Sequence, residues 1–187
     1  MLRELIFKMS NRFATPKKRT DLYRRYYKMK IGKNSEIYED VSFGSEPYLV
    51  EVGESVRISK GVKITTHDGG LWVLRNKYAL SNVGVFSRVK IESNVHIGIN
   101  SIIMPGVTIG ENVIIGAGSI VTKNLESNGV YAGVPAKKIN TIDNYFAKKK
   151  KNMIAIENNT TKREVILSAI GEKNENTKIF AKGNDTV

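Results

Sequence analysis

Hydrophobic positions in this chain follow neither the three-to-four spacing of an amphipathic helix nor the strict alternation of an ordinary strand. From residue 31 to residue 121 they recur at every sixth place. Aliphatic or Phe side chains stand at Ile31, Ile37 and Phe43, and then, after a three-residue slip at Leu49, Val50 and Glu51, at Val52, Ile58 and Ile64. After a longer excursion the count runs on through Val85, Ile91, Ile97, Ile103, Ile109, Ile115 and Val121. Four places after most of these comes a small or β-branched residue: Ser35, Val41, Val56, Val62, Val89, Val95, Ser101, Val107, Val113 and Ser119. The place directly after the aliphatic is often Gly or acidic, as at Gly32, Gly44, Gly53, Glu92, Gly98, Gly110 and Gly116.

Such a period predicts short strands joined by tight corners. The aliphatic residue points into a narrow core, the next residue lets the backbone bend, and the small residue fits inside beside it. Three hexads return the chain to its starting face about one strand spacing, roughly 4.8 Å, further along. The predicted fold is therefore a triangular parallel β-helix, with coils at about 31–48, 52–69, 85–102 and 103–120 and a partial turn to about 126. A β-sandwich would instead need hairpin turns about every 8–12 residues. The excursion from Gly69 to Gly84 holds a Gly-Gly pair, the only Trp, Arg75 and Lys77. In a solenoid, insertions project from corners as loops, and such loops commonly form the binding surface.

Composition narrows the chemistry. The 187 residues suit one domain with appendages. The absence of Cys removes disulfide scaffolds, thiolate zinc sites, Cys nucleophiles and redox dithiols. Two histidines, His67 and His96, argue against a multi-histidine metal site within one chain, so no metal is expected. No apolar run approaches the roughly 20 residues of a membrane-spanning helix and no secretory signal is visible, which makes a cytoplasmic location the expectation. The net charge of +12 is unevenly placed. Residues 1–30 carry +8, residues 31–139 only +1, and residues 140–187 +3. Basic ends flank a neutral scaffold, so nucleic acid is not an expected partner, and anionic groups are met at the ends or at a few placed lysines.

The division is accordingly 1–30, a basic helical segment; 31–139, the β-helix with its excursion at about 69–84; and 140–187, a charged helical extension and tail. In the first segment Leu2, Leu5, Ile6, Met9 and Phe13 share one helical face. That face can cap the open first coil or lie on an anionic membrane, which would place the protein at the inner membrane surface. In the last, Lys148 to Lys151 form a basic run, 162–172 reads as a short helix, and 173–187 as a frayed tail.

The stretch VHIGINSIIMPGVTIGENVIIGAGSIVTKN, closed by YAGVPAKKI, resembles the hexapeptide-repeat acyltransferases, in the branch of maltose and galactoside O-acetyltransferases and polysaccharide-cluster acetyltransferases. The resemblance spans about 31–139. It implies a left-handed β-helix, a homotrimer with active sites between subunits, acetyl-coenzyme A as donor, and a sugar hydroxyl in surface-polysaccharide (capsule or O-antigen) biosynthesis as acceptor. In that family the catalytic histidine follows a hexad strand just before the excursion. Ile64-Thr65-Thr66-His67-Asp68 stands in that place, making His67 the general-base candidate, with Asp68 where relatives have Pro. A neutral imidazole with a pKa of about 6.5 suits the task, because an alcohol is a poor nucleophile until its proton is taken.

His96 occupies a place that commonly holds Trp in relatives. It is read as a residue lining the pantetheine arm or acceptor pocket, as an inert surface residue, or as the rival base. Coenzyme A is implied at Gly98, Ala117, Thr122 and Lys123, and in the closing segment at Ala132, Gly133, Pro135, Lys137 and Lys138. The lysines would meet the 3′-phosphate or diphosphate. Trp72 can stack on a sugar ring or plug the base of the loop. Relatives acting on galactosides use an Asn near the slip, where this chain has Glu46-Pro47-Tyr48. The rivals are an amino-sugar N-acetyltransferase, a xenobiotic acetyltransferase and a non-catalytic β-helix scaffold. A γ-type carbonic anhydrase would need three zinc histidines, and two are present.

Overall fold

The computed structural model describes residues 2–155 and 162–171. The chain divides into two units, Met1–Ile142 and Asp143–Val187. In the first unit, helices α1 (Leu2–Arg12) and α2 (Pro16–Tyr27) precede a run of very short strands. These are β1 (Lys30–Ile31), β2 (Glu36–Ile37), β3 (Val50–Val52), β4 (Arg57–Ile58) and β5 (Lys63–Ile64). A helix, α3 (Leu71–Lys77), interrupts them. They resume with β6 (Val89–Ile91), β7 (Val95–Ile97), β8 (Ile102–Ile103), β9 (Thr108–Ile109), β10 (Val113–Ile115) and β11 (Ile120–Val121), and end in β12 (Gly129–Gly133) and β13 (Ala136–Thr141).

The strands stack in three sheets, ordered β1-β3-β6-β9, β2-β4-β7-β10-β12-β13 and β5-β8-β11. All pairings are parallel except the closing β12–β13 hairpin. Each successive hexad visits the next sheet, which is the triangular parallel β-helix that the six-residue period predicts. Its core is one column of aliphatics per sheet: Ile37, Ile58, Ile97 and Ile115 are fully enclosed in the second, Ile64, Ile103 and Val121 in the third. The small partners Ser35, Ser101 and Ser119 are buried beside them, as the pattern requires.

Corners are turned largely by asparagine, whose short side chain tolerates the left-handed region. Asn94, Asn112 and Asn128 all have positive φ. Their amides form a ladder, Asn94 Nδ2 to Asn112 Oδ1 at 2.7 Å and Asn112 Nδ2 to Asn128 Oδ1 at 3.0 Å.

Two details depart from the pattern. The extra residues of the slip form a 3₁₀ turn, Pro47–Leu49, so that Val50 and Glu51 already belong to β3. Val85, which the period assigns to the core, is 52% exposed, and the column resumes at Val89 and Ile91. Here an aliphatic at the right spacing belongs to the loop, because it lies outside the three parallel sheets that carry the core columns.

The basic N-terminal segment caps the first coil. Thr15 N-caps α2 and Pro16 occupies its first turn. From its inward face Arg19 Nη1 donates to Ile37 O (3.2 Å), Tyr23 Oη–H to Val41 O (3.1 Å) and Arg24 Nε to Ile31 O (3.0 Å). Thr20 Oγ1 donates to Ser35 O at 3.2 Å and accepts from Ile37 N–H at 3.1 Å. These side chains stand in for the coil that the first turn lacks and cover its strand edge. Burial, with Tyr27 adding to it, pushes the Tyr23 phenol up to about 12, so it remains a donor at neutral pH. Helix α1 anchors through buried Phe7 against Tyr23 and Tyr27, while Ile6, Met9 and Phe13 stay exposed.

In the second unit, α4 (Ile142–Lys150) places Asp143 in its first turn and Lys148 to Lys150 in its last, the arrangement the helix dipole favours. Helix α5 (Lys162–Gly171) is the helix expected near 162–172. The tail 173–187 lies outside the described residues. No helix among the described residues is long and apolar enough to cross a membrane.

Thr20→Val keeps shape but leaves the Ile37 N–H and the Ser35 carbonyl without their partner. Chemical denaturation is expected to show a loss of about 1–3 kcal/mol. An unchanged midpoint would show that α2 rests on the coil without closing it.

Candidate active site

Both interruptions of the period fall at the same corner of successive coils, where the chain passes from the third sheet to the first. In the first coil this corner holds Gly44 to Leu49; in the second it holds Thr65 to Arg88. The parallel stack relates these coils by 21 residues: Ser42 pairs with Lys63, and Ile37 with Ile58. The same offset sets Glu46 against His67, and Glu46 Oε2 lies 2.9 Å from His67 Nδ1. Thr66, fully buried between coils, donates its hydroxyl to that same Oε2 at 2.9 Å. Hydrogen bonds from His67, Ser45 and Thr66, in that order of weight among them, hold the Glu46 carboxyl below its ordinary value, so it is an anion at neutral pH.

The excursion leaves and returns as a short antiparallel ladder. Asp68 N donates to Val85 O (3.0 Å), Ser87 N to Thr66 O (2.8 Å), and His67 is bridged to Phe86. The Phe86 ring meets the imidazole edge-on at 6.3 Å between centroids. Asp68 Oδ1 accepts from Gly70 N–H at 2.8 Å, a turn that starts α3. Further along, Arg75 bonds the carbonyl of Val83 through Nε and Nη2, tying α3 to the returning strand. The result is a cleft of about 300 Å³ whose walls include Glu46, His67, Asp68, Trp72, Arg75 and Phe86.

The expected residues therefore fall into separate groups. His67, Asp68 and Trp72 meet in the cleft. Trp72 is 69% exposed, which fits a surface for stacking and not a plug under the loop. The carboxylate bonded to the imidazole is Glu46, and that of Asp68 is turned to Gly70.

His96 lies elsewhere, on the outer face of β7, beside Arg57 of β4 and Ile114 of β10. Partial burial first and the Arg57 charge second lower its pKa, so it is neutral at pH 7.

Gly98 and Ala117 are stacked neighbours, and a Cβ on Gly98 would come within 2.5 Å of Ala117 N, so coil packing alone demands glycine there. Thr122 and Lys123 are exposed just after β11. Ala132, Gly133, Pro135, Lys137 and Lys138 form the closing hairpin, where Ala132 pairs with Lys137 and Tyr131 with Lys138. Lys138 reaches Glu126 at 3.9 Å, whereas Lys123 and Lys137 have no ion-pair partner among the described residues. None of this second group lines the cleft in a single chain. No group of three or more potential metal ligands occurs among the described residues.

Glu46 is the residue that motif reading missed. Its signal was present: counting 21 back from His67, the offset that carries Ile37 to Ile58, lands on it.

Sequence comparison matches residues 88–123 to the bacterial transferase hexapeptide model of six repeats. Among solved structures, a maltose O-acetyltransferase from Clostridium difficile 630 is 30% identical with a TM-score of 0.55, over 75% of this chain and 84% of that one. The chain belongs to the hexapeptide-repeat acyltransferase family. A second solved structure, a galactoside acetyltransferase in complex with coenzyme A, is 28% identical with a TM-score of 0.58, over 78% of this chain and 82% of that one. Protein CapG of Staphylococcus aureus is 54% identical over 107 residues, 57% of this chain and 61% of that protein. A galactoside O-acetyltransferase of Escherichia coli K12 is 40% identical over 100 residues, and the chain spans about half of that protein's length.

Since a like charge beside His96 contributes to its lowered titration, Arg57→Gln is expected to move the His96 midpoint upward. NMR titration of the imidazole checks this, and a midpoint that stays or falls would remove Arg57 as a cause.

Proposed function

We propose that the protein is an acetyl-coenzyme A-dependent O-acetyltransferase acting on a sugar hydroxyl, in surface-polysaccharide biosynthesis, with His67 as general base. The observation that carries this is the cleft itself: an imidazole held at a fixed corner, facing an exposed Trp, in a family whose neighbours above include sugar O-acetyltransferases. The acceptor's sugar ring stacks on Trp72. As its hydroxyl oxygen attacks the thioester carbonyl, His67 takes the hydroxyl proton; the tetrahedral carbon then collapses and the coenzyme leaves as a thiol, taking that proton back. The acetyl group ends on the sugar oxygen with no covalent enzyme intermediate.

The donor's fit rests on Lys123 and Lys137, exposed cations without an ion-pair partner among the described residues, which suit its phosphates, and on the compact backbone around Ala132 and Gly133. Because these residues and the cleft do not meet in one chain, the reading includes a homotrimer of left-handed β-helices, with each site completed by a neighbour. His96, neutral and outward-facing, then lines the site from another face. Contact of α1 with an anionic membrane belongs to the same reading, through exposed Ile6, Met9 and Phe13 beside Arg12.

Thiol release from acetyl-coenzyme A against a panel of neutral, amino and acidic sugars tests the activity, and the amino sugars separate N- from O-transfer. His67→Ala is expected to lower turnover by about 10²- to 10⁴-fold with folding intact. Turnover within about threefold of wild type would end the assignment, and a greater loss in His96→Ala would move the base to His96.

For the donor, Lys123→Ala and Lys137→Ala are expected to weaken coenzyme A binding about 5- to 100-fold by calorimetry, with the acceptor KM nearly unchanged. Dephospho-coenzyme A should bind wild type more weakly than coenzyme A, and should lose that disadvantage in the variant lacking the 3′-phosphate contact. Equal affinity for coenzyme A in all three proteins would show both lysines to be surface charge alone.

A further inference from the structure

We infer that Glu46 is a positioning residue for His67: it fixes which imidazole nitrogen carries the proton and leaves Nε2 as the basic atom. The inference rests on the reading of His67 as base. An ionised carboxylate can only accept hydrogen bonds. With Glu46 Oε2 at 2.9 Å from Nδ1, the neutral ring must donate from Nδ1, and the lone pair is then on Nε2. Thr66 makes the arrangement specific. Its side chain, buried between coils, donates to the same Oε2 at 2.9 Å and holds the carboxylate where the ring needs it. Nε2 has no hydrogen-bond partner among the described residues.

The lowered titration of Glu46, caused first by its hydrogen bond with His67, agrees with a ring that donates from Nδ1. The other charged groups on the cleft do not compete for Nδ1. Asp68 bonds Gly70 N–H, and Arg75 is bound to Val83 O. The slip acquires a purpose on this account. Its 3₁₀ turn, Pro47–Leu49, follows Glu46 directly and adds three residues to the corner that presents the carboxylate beneath the imidazole.

Imidazole ¹⁵N NMR of the full chain tests the inference without an acceptor. The chain has two histidines, so a His96→Ala spectrum identifies the resonances of His67. In wild type above the titration, His67 is expected as the Nδ1–H tautomer, although a free imidazole in water prefers its proton on Nε2. Glu46→Ala is expected to return it toward Nε2–H. Glu46→Gln, whose amide oxygen still accepts, is expected to keep the Nδ1–H form. On the panel sugar giving the largest His67-dependent thiol release, Glu46→Ala is expected to lower turnover about 10- to 100-fold at unchanged acetyl-coenzyme A KM.

An Nε2–H tautomer in wild type, or an Nδ1–H form that persists in Glu46→Ala, would overturn the inference while leaving His67 as base untouched. Loss of His67 dependence with the tautomer shift intact would overturn the base assignment alone. Should Glu46→Ala fail to fold, the wild-type tautomer alone is decisive.

Discussion

Everything in this molecule depends on coil stacking upon coil in hydrogen-bonded register. A two-residue strand is too short to be stable alone, and each exists here because it is paired on the sheet and places one aliphatic in a shared column. Stability of this kind is summed over neighbours and ends wherever the stack is left open. That is why the first coil needs α2, whose Arg19, Thr20, Tyr23 and Arg24 satisfy the carbonyls and the amide that a preceding coil would have met.

Register also determines where chemistry can sit. Sheets tolerate no insertions without losing their columns, so extra residues are confined to corners, and a corner in one coil lies directly against the equivalent corner of the next. The slip after Phe43 and the excursion after Ile64 use this rule twice in the same column. One supplies Glu46, the other His67, Trp72 and Phe86, and the 21-residue offset between the coils brings carboxylate to imidazole. A rigid scaffold thus places two polar side chains to within hydrogen-bond distance while the loop above them supplies an aromatic wall.

The fold was legible because a six-residue period sustained from Ile31 to Val121 has few physical solutions. The position of His67 was legible too, three residues past the last strand before the excursion. Val85 misled because spacing alone does not reveal pairing, and an aliphatic in a loop can fall on the period by accident. Glu46 was hidden for a related reason: two residues 21 apart look unconnected until the length of that particular coil is counted. His96 and the closing lysines are simple to locate, yet one chain does not bring them to the cleft, and no feature of a single sequence says which neighbouring surface they face.

The central claim is that Glu46 and His67 act as one unit assembled by the register. A double-mutant cycle in turnover, built from Glu46→Ala, His67→Asn and the two together, addresses it most directly. If the carboxylate works only through the imidazole, the double variant is expected to be no slower than His67→Asn alone. Losses that multiply, each substitution costing the same whether or not the other is present, would contradict the account.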